Sequence, residues 1–250
     1  MTEVFAACHM HSVWSYDGKW SLDQLRDKFR RRGCRILMMT EHDRGFTASR
    51  WEEYRTACAS ASTSDCLVMP GIEYSDPENR THVLVWGNIP FLGEGLPTGK
   101  MLDAVRASDG VAVFAHPGRK QAWKYFEPEW TDKLLGIEIW NRKYDGWAPG
   151  EVASALQQSG KSIPFVGLDF HTARQTFPLG MMLEIDAEIT EDTVIHSLKS
   201  KRCRGQVFGL PVSGRALRSS RPALKVAERA RRMAAAFVRT GNPFAVRPNA

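Results

Sequence analysis

The hydrophobic positions follow two alternating patterns along most of the chain. Short runs of mainly apolar or β-branched residues predict strands that are buried in a sheet. These predicted strands are Val4–His9, Ile36–Thr40, Cys66–Glu73, Thr81–Trp86, Val111–Ala115, Gly136–Trp140, Ile163–Gly167 and Gly180–Ile185.

Between several of these runs, apolar residues recur at the spacing of a helix. The segment Ser21–Arg32 is the clearest case, because Leu22, Leu25 and Phe29 fall on one face and Gly33 is a typical helix end. The other predicted helices are Ala48–Ser60, Lys100–Ser108, Glu151–Ser159 and Glu191–Ser200. This alternation of strands and helices predicts an α/β fold with a parallel sheet, either open or closed into a barrel.

The C-terminal part of the chain differs in composition. Residues 205–220 are rich in Gly, Pro and Ser and predict a loop, whereas Pro222–Arg239 predicts one amphipathic helix. From Lys199 onwards there are thirteen lysines and arginines but one acidic residue, Glu228, whereas the whole chain has a net charge of +6. We therefore expect a mildly acidic domain, 1–204, and a basic C-terminal extension, 205–250, made of a loop and a helix docked on the domain. The arginines of the extension could bind nucleic acid, but a solvated face on a docked helix is the favoured interpretation.

Length and composition indicate a globular protein. The chain has 250 residues, of which 43% are hydrophobic and 25% charged, as is usual for a soluble domain with one core. No apolar run is long enough for a membrane helix, and the first residues lack the pattern of a signal peptide. The five cysteines include no CxxC pair, which disfavours a zinc ribbon. We expect a cytoplasmic protein with no membrane partner.

Six of the seven histidines lie at or near the ends of predicted strands. In a β/α barrel, side chains at the C-terminal ends of the strands converge on one mouth. His9 and His11 are two residues apart, as are Asp169 and His171, and residues at this spacing on a strand point to the same side. One such pair is common outside metal sites, but the combination predicts a multinuclear site. Imidazoles with carboxylates suit zinc, manganese or iron.

A series of short motifs resembles the PHP superfamily, the polymerase and histidinol phosphatase domains. In chain order the motifs are CHMHS with YDG, TEHD, GIE, THVLVWG, FAHP, GIEIWN and GLDFH. Each motif is weak alone, but the ordered series, which covers about residues 4–204, is specific. Glu41 stands where the family usually has aspartate. The resemblance implies a distorted (β/α)7 TIM-like barrel, here with a basic C-terminal helical extension, that holds metal ions in its mouth.

The resemblance also implies the metal ligands. The matching residues are His9, His11, Asp17, His42, Glu73, His82, His116, Asp169 and His171. The family pattern divides them into three groups: His9, His11, Glu73 and Asp169; Glu73, His82 and His116; and Asp17, His42 and His171. We therefore expect two or three divalent ions, zinc, manganese or iron, with Glu73 bridging two of them.

Basic residues follow several of these motifs closely. Arg44, Arg119 and Arg142 each come shortly after a motif histidine or carboxylate. As a set, they would line a pocket for a phosphate group. We expect these three side chains to bind the substrate, with Arg119 and Arg142 as the first choices.

The predicted activity is metal-dependent hydrolysis of a phosphomonoester or phosphodiester of a small metabolite or nucleotide. Clustered divalent ions acidify a bound water to hydroxide near neutral pH and bind phosphoryl oxygens, and the sequence has neither a GxSxG motif nor a P-loop. Two alternatives stay open: a metal-dependent hydrolase of an amide-type bond, and a non-catalytic metal-bound module whose basic tail binds a partner. The sequence determines neither the substrate nor the oligomeric state.

Overall fold

The structure is a computed structural model that describes residues 1–150, 156, 162–212 and 215–240, with the side chains of the last segment described over 221–235. The strands are β1 Thr2–Met10, β2 Ile36–Met39, β3 Glu41–His42, β4 Leu67–Met69, β5 Gly71–Ser75, β6 His82–Trp86, β7 Val111–Phe114, β8 Gly136–Asn141, β9 Ile163–Gly167, β10 Leu179–Ile185, β11 Cys203–Val207 and β12 Leu210–Pro211. The α-helices are α1 Leu22–Arg30, α2 Ala48–Ala61, α3 Thr98–Ala107, α4 Glu191–Lys199 and α5 Arg215–Thr240. The predicted helix Glu151–Ser159 lies, except for Leu156, outside the described residues.

The described strands form two mixed sheets. One has the order β12-β11-β10-β1-β2-β4, and the other has the order β3-β5-β6-β7-β8-β9. The expected all-parallel arrangement is wrong for five neighbouring pairs, which are β1–β10, β10–β11, β11–β12, β5–β6 and β6–β7. For β5–β6 the reason is the short connection between Ser75 and His82, because parallel neighbours need a crossover of about a dozen residues or more.

The two sheets are joined where strands are interrupted. Thr40 alone separates β2 from β3, and Pro70 alone separates β4 from β5; a proline has no N–H to donate to a ladder. On the other side, the backbone N–H groups of Leu168 and Phe170 donate to the carbonyls of Cys8 and His9. Within the described residues these strands do not form the closed (β/α)7 ring that we expected, because the ladders break at these points.

The buried face of helix α1 packs against the segment around Phe170, which lies between Asp169 and His171. Ser21 caps α1, since its hydroxyl accepts from the Gln24 N–H at 3.2 Å while the Gln24 side chain accepts from the Ser21 N–H at 3.0 Å. Phe29 of this helix packs edge-on against the fully buried Phe170, with ring centroids 5.3 Å apart. Burying a side chain of this size contributes about 1.5–3 kcal/mol, so the segment around Phe170 is held firmly.

The C-terminal residues join the fold earlier than predicted. Strand β11 runs across the expected boundary at residue 204, and Val207 and Val212 are buried, so the prediction of a loop over 205–212 is wrong. Composition suggested a loop, but the apolar valines pack on the sheet, and Pro211 lies on an edge strand where a proline is tolerated. The division into two domains stays a prediction.

Helix α5 contacts the segment that follows β8. The carboxylate of Glu228 accepts from the backbone N–H of Trp147 at 3.0 Å, and the Arg221 guanidinium donates to the Gly150 carbonyl at 3.1 Å. Arg231 and Arg232 both donate to Glu228, so part of the helix's positive charge is paired within the protein. No helix in the described ranges combines the length and the apolar character that a bilayer crossing requires.

Candidate metal centre

The motif histidines and carboxylates meet around the ends of β1, β3, β7 and β9, the start of β6 and the middle of β5. Met10 and Phe170 are both fully buried and pair across the two sheets. His9 and His11 flank Met10, and Asp169 and His171 flank Phe170, so the pairing brings the four side chains together: His9 Nε2 and His11 Nε2 lie 3.9 and 3.7 Å from Asp169 Oδ1. The structure therefore brings together residues that are about 160 positions apart in sequence.

Three of the candidate ligands have a left-handed backbone. The φ angles are 59° at His9, 26° at His116 and 49° at Asp169. Such conformations cost a residue other than glycine about 1–3 kcal/mol each, and they concentrate at functional sites. The backbone strain therefore lies at positions from which side chains converge on the cluster.

The carboxylate of Glu73 is the centre of the cluster. Five histidine nitrogens lie within 3.5 Å of its two oxygens. The distances are 2.6 Å to His82, 2.8 Å to His116, 3.1 Å to His42, 3.3 Å to His11 and 3.5 Å to His9. Glu73 itself is 1% exposed. One buried carboxylate surrounded in this way is a geometry that suits a bridging ligand.

Three overlapping triads in the described part of the chain have donor atoms close enough to share an ion. Within each triad the donors lie within 4.8 Å of one another, and the triads are His9, His11 and Asp169; His9, Glu73 and His116; and His11, His42 and His171. They resemble the three predicted groups. The first triad lacks Glu73, the second has His9 in place of His82, and the third has His11 in place of Asp17. His82 is nevertheless 2.6 Å from Glu73.

Asp17 joins the cluster from the loop after β1. Its two oxygens lie 3.4 Å from His42 Nε2 and 3.0 Å from His171 Nε2. The other nitrogen of His171 lies 3.2 Å from Asp169 Oδ1. His171 thus connects the group around Asp17 with the group around Asp169.

Hydrogen bonds from residues that surround the cluster determine which histidine nitrogens carry a proton and which carry a lone pair. Glu138 is acceptor-only when ionised, so His9 Nδ1, 3.0 Å from it, carries the proton and Nε2 faces the cluster. The Asn79 side-chain oxygen, which also accepts from Arg119, accepts from His82 Nε2 at 2.6 Å, which leaves the Nδ1 lone pair of His82 facing Glu73. A lone pair that faces a carboxylate is repulsive unless a cation lies between them.

Unpartnered buried atoms support the same conclusion. His9 Nε2 and His11 Nε2 are buried without a hydrogen-bond partner, a state that costs about 1–3 kcal/mol per group. Both atoms face the carboxylates of Glu73 and Asp169 at 3.3–3.9 Å. The residues present therefore fit divalent metal ions, because a cation would satisfy these lone pairs and both carboxylates together.

The electrostatics of Glu73 agree with this role. Burial by itself would raise its pKa. Positive charge on His82 and His9, which requires a second proton on each ring, and hydrogen bonds from His116 and His42 outweigh burial and hold the pKa well below its usual range. The group is therefore an anion that depends on neighbouring positive charge. A metal ion supplies such a charge without requiring that several buried histidines be protonated.

Two buried carboxylates, Glu41 and Glu138, hold the ligands in position through hydrogen bonds. Glu41 accepts from the hydroxyls of Ser12 at 2.6 Å and Ser15 at 2.5 Å, and Ser15 also accepts from the His42 backbone N–H at 3.0 Å. Glu138 accepts from His9 and, at 2.8 Å, from the His116 backbone N–H. The sequence showed both carboxylates at strand ends but did not assign this positioning role to Glu138.

The Glu138→Gln substitution is expected to weaken metal binding roughly 10–100-fold, the usual effect of losing such a supporting contact. Both Glu138 oxygens accept, one from His9 and the other from His116 and Asn141. An amide has one oxygen, so either orientation sets its NH2 group against a donor. Isothermal titration with Mn²⁺ measures the change. Glu53→Gln, at an exposed position of α2, is the matched control, and equal affinities in the two variants would contradict the assignment.

A cleft of about 360 Å³ opens in front of the cluster. Its lining includes Arg44, Arg119 and Lys143 together with Asp17, His42, Glu73, His82, His116 and Asp169. The sequence-based choice of Arg44 and Arg119 is thus compatible with the structure, which places both beside the cluster; contact with a substrate stays a prediction.

Arg142 lies elsewhere. It is not among the residues that line the cleft; its guanidinium donates to the Arg174 carbonyl at 3.2 Å and lies 5.2 Å from the centroid of the Phe177 ring. Its placement does not support the predicted contact with substrate, because the adjacent side chain, Lys143, is the one that turns towards the cluster. Its ammonium lies 3.0 Å from Asp169 Oδ1.

The other acidic residues of the cleft are engaged with protein donors. Asp43 accepts from the backbone N–H groups of Ser75 and Gly95, Asp76 accepts from Arg80 and Thr81, and Glu94 accepts from Gly45. Burial raises the pKa of Asp43 to about 6 against the opposing effect of its two N–H donors. These acids organise the loops around the cleft.

Comparison with solved structures supports the architecture. PsfC from Pseudomonas syringae PB-5123 is similar with a TM-score of 0.62 and 14% identity, over 94% of this chain and 99% of that one. A protein named as a candidate metal-dependent phosphoesterase, from Bifidobacterium adolescentis, gives 0.52 and 17%, over 78% and 95%. The lesion-specific endonuclease EndoQ from Pyrococcus furiosus gives 0.56 and 13%, over 80% of this chain and 56% of that one.

The sequence itself has no such match. No family model matches the chain, and no curated protein is significantly similar to it. At these identities the structural likeness shows the fold alone. The chain thus has the mixed α/β fold of these solved structures, with a buried cluster of histidines and carboxylates that could bind metal ions.

Proposed function

We propose that the protein is a metal-dependent phosphoesterase that hydrolyses a phosphomonoester or phosphodiester of a small metabolite or nucleotide. The observation that carries the proposal is the buried Glu73 carboxylate with five histidine nitrogens within 3.5 Å, at the floor of a cleft lined by Arg44, Arg119 and Lys143. The likeness to a candidate metal-dependent phosphoesterase and to an endonuclease supports the same class of reaction.

The proposed ligands are the nine residues predicted from the sequence. Divalent ions held there would acidify a water molecule and neutralise phosphoryl oxygens. The protein's own part is positional: Glu138 holds His9 and the backbone of His116, while Glu41 and Ser15 hold the backbone of His42. Preorganised ligands of this kind need no rearrangement during the reaction.

The charges in the cleft favour an anionic substrate. Arg119 is held by three contacts at 3.1 Å, to the Tyr144 hydroxyl and to the backbone and side-chain oxygens of Asn79. Arg44 lies 5.8 Å from the centroid of the Tyr16 ring. Because the cleft acids Asp43, Asp76 and Glu94 already accept from protein donors, these cations are the groups available to a phosphate.

A direct assay tests the proposal. Protein loaded with Mn²⁺, Zn²⁺ or Fe²⁺ is incubated with p-nitrophenyl phosphate, bis-p-nitrophenyl phosphate and a panel of phosphorylated metabolites and nucleotides. Release of product that depends on the ion and is lost with EDTA supports the proposal. Bound ions without hydrolysis of any ester would overturn it and point to an amide-type substrate, and failure to retain ions would favour a non-catalytic module.

The Arg119→Ala substitution is expected to raise KM at least tenfold while metal content stays unchanged. A charge-assisted hydrogen bond to an anion contributes about 1.5–3 kcal/mol, and about 1.4 kcal/mol corresponds to a factor of ten. Steady-state kinetics with an aryl phosphate, together with metal analysis, measure both quantities. Arg106→Ala removes an exposed arginine of α3 as the control. An unchanged KM in Arg119→Ala would show that this side chain does not contact the substrate.

A further inference from the structure

Lys143 enters the cluster beside His171, a predicted ligand of the third ion. Its Nζ is 3.0 Å from Asp169 Oδ1 and 3.4 and 3.5 Å from the two ring nitrogens of His171. Nearly equal distances to both nitrogens place the ammonium over the ring and away from either lone pair. The Nε2 of this ring faces Asp17 at 3.0 Å.

The turn that carries Lys143 is built by specific hydrogen bonds. The side-chain oxygen of Asn141 accepts from the backbone N–H groups of Lys143 and Tyr144 at 3.0 and 3.1 Å, and Asp145 accepts from the Asn141 N–H at 2.8 Å. Asn141 also donates to Glu138 at 2.9 Å. Because the same residues brace the ligands His9 and His116 through Glu138, the position of Lys143 is coupled to the frame of the site.

A fixed ammonium at this point opposes a third cation. Asp169 and His171 would both lie next to an ion held by Asp17, His42 and His171, and two like charges in so small a space repel strongly. Lys143 also contacts the group around His9, but only through Asp169 Oδ1, and the group around His116 has no basic side chain in direct contact among the described residues. Lys143 therefore acts most strongly on the third group, where it lies within 3.5 Å of both ring nitrogens of His171.

We propose that Lys143 replaces the third ion, so that the protein binds two divalent ions and the Lys143 ammonium contacts the substrate phosphate. The second part rests on the proposed function; the first does not. The ammonium lines the cleft, and its side chain is 28% exposed, which leaves it accessible to an anion bound between it and Arg119.

Metal counting tests the proposal independently of turnover. The wild-type protein, Lys143→Met and Lys143→Arg are dialysed to equilibrium against excess Mn²⁺, and bound ions per chain are measured by mass spectrometry of the metal. We expect two ions in the wild type, two in Lys143→Arg and three in Lys143→Met, which removes the charge but keeps the length of the side chain. Lys124→Met, at an exposed position, is the control and should bind two.

The other outcomes overturn the proposal. A wild-type count other than two, or the same count in Lys143→Met as in the wild type, would show that Lys143 does not exclude an ion. Circular dichroism and thermal melting establish that each variant is folded before its ions are counted. If the protein binds two ions, gains a third in Lys143→Met and hydrolyses no ester, the role of Lys143 in limiting the number of ions is supported. The proposed phosphoesterase activity is then refuted.

A second readout addresses the substrate contact. Inorganic phosphate should bind the two-metal wild type at least tenfold more tightly than Lys143→Met that has been loaded with two ions, as measured by titration calorimetry. Lys143→Arg should retain most of the affinity, since the charge is kept. Equal phosphate affinity in Lys143→Met and the wild type would exclude the contact.

Discussion

The Glu73→Gln substitution should abolish stable metal binding and lower kcat at least about 10³-fold. A unit charge 4 Å from another is worth about 4 kcal/mol at the effective dielectric constant of a protein, and a divalent ion doubles this. Half of the doubled value, about 4 kcal/mol, already corresponds to about a 10³-fold change. Glutamine keeps the size of the side chain, so the substitution removes the charge that five histidine nitrogens surround.

The measurement is metal content after gel filtration, followed by kinetics with an aryl phosphate at saturating Mn²⁺. Glu53→Gln, on the exposed face of α2, should behave as the wild type. Because Glu73 is buried, circular dichroism has to show that the variant is folded before its activity is interpreted. A folded Glu73→Gln protein with wild-type metal content would refute the central role given to this carboxylate.

The convergence of the cluster was predictable from the sequence because it depends on local rules. Strand ends bearing His9, His42 and Glu73 could be recognised from short apolar runs. Parallel neighbours such as β3 and β5 then place these ends on one side of the sheet. Neither step requires knowledge of distant contacts. The alternation of strand side chains, expected to align His9 with His11 and Asp169 with His171, does not describe the structure, because His9 and Asp169 have a left-handed backbone and Asp169 lies beyond the end of β9.

The direction of the sheet neighbours was not predictable in the same way. Strands β6 and β7 are antiparallel although helix α3 lies between them, a connection long enough to permit either direction. The choice is made by packing across the whole sheet. The strand ladders also break at Thr40, where the predicted strand Ile36–Thr40 ends, and at Pro70, inside the run from Cys66 to Glu73 that had suggested one continuous strand.

Arg142 and Lys143 show why the residues of the cleft were harder to identify. They are adjacent, both are basic, and both follow β8 closely. Which of them points to the cleft depends on the turn that Asn141 and Asp145 stabilise, and charge and spacing contain no information on that turn. Glu138 escaped assignment for a similar reason, because a carboxylate that supports a ligand has the same sequence signature as one that is a ligand.

The cost of the cluster in the absence of cations follows from its geometry. His9, His116 and Asp169 have strained backbones, and His9 Nε2 and His11 Nε2 are buried without partners. Each of these features costs about 1–3 kcal/mol, and the lone pairs regain favourable interactions only when a cation is present. Metal binding should therefore be linked to folding stability.

Removal of metal is accordingly expected to lower the Tm by about 8–16 °C for each site that is emptied from saturation. Ligand at about a thousand times its Kd stabilises the native state by about 4 kcal/mol, and 1 kcal/mol corresponds to about 2–4 °C in a domain of this size. Calorimetry of the chelator-treated protein with and without Mn²⁺ measures the shift, which should be small in Glu73→Gln and undiminished in Glu53→Gln. If the ion raised the Tm of Glu73→Gln as much as that of the wild type, it would be stabilising the protein from somewhere other than this cluster.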